Sequence, residues 1–238
     1  HKDYYIPSTS ESGLTLTNYC NLIVGGTAFN YRIRIPINID LTIHKDFEVR
    51  GYVHSMYTSA SHTITIYGDM NVTSGSLYIR DNSLIIPQNY VIYGDVNIAT
   101  EAKIYTEGAS TGNIIHTFKI AGSLNVDGTF DAYYKRGNYN YKIATTFFGT
   151  NTSYITGSGS IRFYTLTCDK GTDASPMLIM QNNATSAHDD DEPFLTLLNG
   201  TFQVDIEDGN TLELTRKCDL TIATTAALSV KSGTVQVA

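Results

Sequence analysis

Two short segments carry the residue types most suited to recognising a ligand. The first is Tyr133 to Lys142, where Tyr133, Tyr134, Tyr139 and Tyr141 are interleaved with Lys135, Arg136 and Lys142. Tyrosine offers an apolar ring face that stacks on a sugar and a phenol that hydrogen-bonds, so this group reads as a carbohydrate-contact patch. The same spacing also suits two strands whose alternate tyrosines pack on a neighbouring segment. The second is the acidic run Asp189, Asp190, Asp191 and Glu192 beside His188. Its oxygens are the hard ligands calcium prefers, although four adjacent residues cannot all face one ion and the spacing is not that of a calcium-binding loop. A solvated acidic turn is the simpler reading of that run.

Catalytic groupings are harder to find. A glycosidase or lyase needs two convergent carboxylates, or a bound cation and a basic partner. Asp69 and Asp95 occupy matching positions in a repeated phrase, but Ser123 stands at the third. The six histidines show no paired or triad-like spacing. Three cysteines (Cys20, Cys168 and Cys218) form no metal-ligand pattern, and Cys168 and Cys218 share parity with apolar neighbours, as buried small hydrophobes do. The expectation is a protein without catalytic residues or a resident cofactor, calcium at Asp189 to Asp191 being the one candidate. Four glycosylation-type sequons, at Asn71, Asn151, Asn183 and Asn199, mark surface positions.

Charge narrows the partners. The net charge is −7 and the pI about 5.2, which argues against nucleic acid, because phosphate binding relies on basic patches. No apolar run approaches the roughly 18 residues that span a membrane. Only 16% of residues are charged, and Tyr (17 residues) replaces Trp (none). The polar surface must therefore come from Asn, Thr, Ser and Tyr, which suits an extracellular setting.

The elements that position these residues are short strands. Apolar and polar residues alternate at Ile33/Ile35/Ile37, Ile64/Ile66, Phe118/Ile120, Phe202/Val204/Ile206 and Leu228/Val230, each run bounded by Gly, Asn, Asp or Ser. A phrase returns with altered wording: Ile66-Tyr67-Gly68-Asp69-Met70-Asn71-Val72, then Ile92 to Ile98, then Ile120 to Val126. Its glycines lie 26 (68 to 94) and 28 (94 to 122) residues apart. In the last fifth, strands start at Phe202, Leu212, Leu220, Leu228 and Val235, so three strand steps match one phrase repeat. A sandwich also uses strands at such spacing, but the phrase favours a solenoid.

The predicted fold is all-β, a right-handed parallel β-helix with about three short strands per coil, forming one segment over residues 1–238. At about 24 residues per coil this gives roughly nine or ten coils and a rod near 45 Å. Met70, Val96 and Leu124 are expected to stack inside, as are Val72, Ile98 and Val126; Glu48, Asn71, Asn97 and Asn125 are expected to form an outer polar row. Insertions are expected near 131–142 and 182–193, and the opening His1 to Ser12 also breaks the rhythm.

The wording resembles that of long, repetitive cell-surface proteins of the Bacteroidetes. Gly157-Ser158-Gly159-Ser160-Ile161-Arg162-Phe163-Tyr164-Thr165-Leu166-Thr167-Cys168-Asp169-Lys170-Gly171, Leu22-Ile23-Val24-Gly25-Gly26-Thr27 and the Gly-Asp turns carry the likeness. The resemblance implies an adhesin or surface fibre exported by type IX secretion, extracellular or cell-surface in location, and it carries no catalytic residue across. The strand-like close at Val235 to Val237 and the lack of a leader before His1 lead to the expectation of a piece of a longer chain. Adjoining coils of that polypeptide are then the first partners, with surface polysaccharide or other cell-surface proteins beyond them. A carbohydrate-binding or carbohydrate-cleaving β-helix is the competing expectation.

Overall fold

A computed structural model describes residues 4–6, 18–25, 33–37, 40–57, 61–81, 86–108, 113–186, 193–215 and 220–237. The chain winds as an all-β solenoid of stacked parallel strands, with no helix among the described residues. One coil shows the plan. Thr63–Ile66 lies on the first face, and Met70–Asp81 supplies the second and third faces. One coil later these become Asn89–Ile92, Val96–Ile98 and Lys103–Gly108, each paired in parallel with its predecessor. The second face alone stacks ten strands, from Tyr4–Ile6 to Ala226–Ser232.

Alternation sets which residues enter the core. In a strand successive side chains point to opposite faces, so a two-residue apolar period loads one side only. Met70, Val96 and Leu124 stand in one register and are fully buried, and Val72, Ile98 and Val126 form the adjacent row. Aromatic rings continue the same logic across faces. Tyr90, Phe118, Phe130, Phe163 and Phe194 form a column with ring centroids 4.8, 6.2, 5.6 and 6.2 Å apart, the range in which such pairs attract. Cys168 is buried in this core, as its parity implies, and burial pushes its thiol up to about 11. Cys218 lies outside the described residues.

The outward positions between these rows make polar ladders. Asn97 Nδ2 donates to Asn71 Oδ1 at 2.9 Å, Asn125 Nδ2 donates to Asn97 Oδ1 at 2.7 Å, and Thr156 Oγ1 donates to Asn125 Oδ1 at 2.7 Å. Glu48 stands in register with Asn71, so the expected outer row is present.

The repeated Gly-Asp turn is a second ladder, between the first and second faces. The side-chain oxygen of each Asn, Asp or Ser at this position accepts the backbone N–H of the equivalent residue one coil on: Asn21 from Asp46, Asp46 from Asp69, Asp69 from Asp95, Asp95 from Ser123, and Ser123 from Tyr154. The preceding glycine is needed for close approach. A Cβ at Gly94 would lie 2.3 Å from Asp69 Oδ1 and 2.4 Å from the Gly68 carbonyl oxygen.

The insertion after Asp131 is a β-hairpin. Tyr133–Arg136 pairs with residues 139–142, the only antiparallel pairing among the described strands. The turn is made at Gly137, whose φ of +61° favours a residue without Cβ. The hairpin lengthens its coil, so Leu124 meets Ile155 and the neighbouring turn residues Ser123 and Tyr154 lie 31 residues apart, against the expected 24.

Candidate functional site

The hairpin divides the four candidate tyrosines. Tyr141 is fully buried, while Tyr133, Tyr134 and Tyr139 keep partial exposure. The Tyr133 ring stacks on Tyr164 at 6.2 Å and its hydroxyl donates to Asn140 Oδ1 at 3.2 Å. Lys142 is drawn inward, donating to the Tyr164 hydroxyl at 3.0 Å with its ammonium 4.3 Å from that ring's centre. Tyr134 leans on Tyr141 at 6.2 Å. This geometry couples the hairpin to the coil below and leaves Tyr134 and Tyr139 as its more accessible rings. Asp189, Asp190 and Asp191 lie outside the described residues, as do His188 and Glu192. Among the described residues no group of three or more His, Cys, Asp or Glu is placed to hold a metal.

A groove of about 600 Å³ opens on the third face, lined by Tyr52, Ser76, Glu101, Lys103, Tyr105 and Asp131 among others. Its residues come from successive coils. Tyr52, Ser76, Lys103 and Thr129 form one outward row, and Tyr78, Tyr105 and Asp131 form the next. Tyr52 is 43% exposed. Arg162 grips Asp131 with two hydrogen bonds (2.7 and 2.6 Å) and donates a third to the Tyr133 carbonyl at 2.6 Å, which bolts the hairpin to the groove's end. Tyr78 donates to Glu107 beside it, and Tyr78 and Tyr105 lie ring to ring at 4.5 Å.

Sequence reading missed this groove. Tyr52, Ser76, Lys103 and Asp131 each come from a different coil and share no local motif. The usable signal was alignment of Gly51 with Gly75, which puts Tyr52, Ser76 and Lys103 in one row.

A polar network sits inside the core. Tyr90 donates to Ser55 Oγ at 2.7 Å, Ser55 Oγ donates to Gln88 Oε1 at 2.6 Å, and the Gln88 N–H donates to His116 Nδ1 at 3.0 Å. His116 Nε2 is buried with no hydrogen-bond partner among the described residues. Burial pushes the His116 imidazole down to about 3 and raises the Tyr90 phenol above its ordinary range. Lys170 is equally enclosed, donating to Ser153 Oγ at 2.7 Å and the Phe148 carbonyl at 2.9 Å, and burial lowers its pKa. These buried groups join coils to one another.

Asp69 and Asp95, the repeated carboxylates of the Gly-Asp phrase, are engaged in the turn. Asp69 and Asp95 each accept the next coil's N–H, and Asp131 is paired with Arg162. Comparison with protein-family models, curated proteins and solved structures finds no match, so every residue role rests on this chain's own geometry.

Proposed function

We propose that the chain is a non-catalytic structural and adhesive β-solenoid segment of a large secreted or cell-surface protein, acting as a rigid stalk or surface-fibre module. The supporting observation is the turn ladder from Asn21 through Asp46, Asp69, Asp95 and Ser123 to Tyr154. It ties each coil to the next by a side chain, in addition to the backbone pairing on every face, and so resists bending and separation of coils. Each hydrogen bond adds a modest amount, about 1 kcal/mol, but they act in series along the rod. In a solenoid each repeat contacts only its neighbours, so joints of this kind set the stiffness of the whole.

The Asn, Thr and Tyr surface supports an extracellular position, and the resemblance of the repeat wording to that of Bacteroidetes surface proteins supports export by type IX secretion. The experiment is incubation of the purified chain with a panel of soluble plant and microbial polysaccharides, with release of reducing ends and unsaturated sugars as the readout. No release above background is expected. Release that disappears in Asp131→Asn would overturn the non-catalytic reading.

A further inference from the structure

We infer that the groove on the third face binds an extended, neutral polysaccharide. The inference rests on the reading of the chain as a non-catalytic adhesive segment and supplies its ligand class. Tyr52 is 43% exposed and Tyr105 is partly buried, and both line the groove, so two aromatic rings border a single cleft. Such rings suit the apolar C–H face of a pyranose.

The charges in the groove have both signs. Lys103 contributes a cation and Glu101 an anion, while Asp131 is already neutralised by Arg162 at 2.6 Å. A hydroxyl both donates and accepts, so an uncharged polyol satisfies ammonium and carboxylate together. A polyanion would instead face Glu101 and a chain of net charge −7, and a polycation would face Lys103. The rows run along the solenoid axis with one residue per coil, at about 4.8 Å per step, which fits a linear ligand lying across several coils.

Glu101 adds a second observation. Its φ is +67°, the only positive φ of a non-glycine among the described residues. At this corner of the two earlier coils the positive φ falls one register position later, on Gly51 and Gly75, with φ of +101° and +70°. A glutamate is held there in a conformation that glycine adopts freely, and its side chain lines the groove.

The test is affinity gel electrophoresis of the whole chain in gels containing xylan, mixed-linkage β-glucan or galactomannan, with polygalacturonate as the anionic comparison. At least one neutral polysaccharide is expected to retard the protein. Tyr52→Ala and Lys103→Ala are each expected to weaken retardation about tenfold, with unchanged thermal midpoints, while Tyr154→Ala, at an exposed tyrosine of the second face, leaves it intact. Tyr52→Leu, which retains an apolar side chain, serves as a second variant should the alanine form fold poorly. The inference is overturned by no retardation in any neutral gel, by retardation in polygalacturonate alone, or by retardation indifferent to both groove variants. Failure of binding leaves the structural reading standing, whereas digestion of the polysaccharide in the gel would overturn that reading and leave the groove as a substrate site.

Discussion

Asp69 Oδ1 accepts the backbone N–H of Asp95 at 2.8 Å and occupies the space where a Cβ on Gly94 would sit, 2.3 Å away. The glycine of one coil and the carboxylate of the coil before it are therefore a matched pair, and the recurring Gly-Asp phrase is the sequence trace of contacts between coils.

Gly94→Ala is expected to destabilise the chain by about 2–3 kcal/mol through overpacking. Asp69→Ala alone is expected to cost about 1 kcal/mol, the value of one hydrogen bond. The double variant should not recover stability, because the Gly68 carbonyl oxygen also lies 2.4 Å from the added Cβ. Urea denaturation of the three variants checks this; full recovery in the double variant would mean the carboxylate alone makes the constraint.

That pairing explains what the sequence disclosed and what it concealed. Met70/Val96/Leu124 and Asn71/Asn97/Asn125 were legible because each coil repeats the turn just before them, which fixes register, and a one-residue slip would turn the apolar set outward. The hairpin at Tyr133 to Lys142 was read as an insertion, but its antiparallel course was hidden, since both strand directions share the two-residue period. The groove was hidden for another reason: Tyr52, Lys103 and Asp131 meet only through the stacking of coils.

The tyrosines should separate by burial. Tyr141→Ala is expected to cost about 3–5 kcal/mol, as for other large buried aromatic truncations, because its ring is fully enclosed. Tyr134→Ala, on the partly exposed side, should cost under about 1 kcal/mol. Thermal or chemical denaturation of both variants measures the contrast, and equal losses would contradict the hairpin's orientation.

His116 should make stability fall in mild acid. Its pKa is about 3 in the folded chain and 6.5 in its ordinary state, so the unfolded chain binds the extra proton between those values. Stability is therefore intact above pH 6.5 and declines as pH drops toward 3, with a slope approaching about 1.4 kcal/mol per pH unit. His116→Gln keeps an acceptor for the Gln88 N–H, which His116 Nδ1 now receives at 3.0 Å. The variant is expected to flatten the slope above pH 4.5, roughly the range where carboxylates contribute little. Urea midpoints between pH 7 and 4.5 provide the measurement, and an unchanged slope in the variant would assign it to other groups.

Glu101→Gly should raise stability by up to about 1 kcal/mol, because glycine adopts the φ of +67° without Cβ strain. The same change removes a carboxylate from the groove and should weaken polysaccharide retardation. Loss of stability without loss of retardation would show that the glutamate serves only the fold.

The most direct test of the chain's role as an external structural segment is antibody labelling of its source cells, intact and permeabilised. The account predicts strong labelling of intact cells, removed by brief external protease treatment. Labelling confined to permeabilised cells would contradict it.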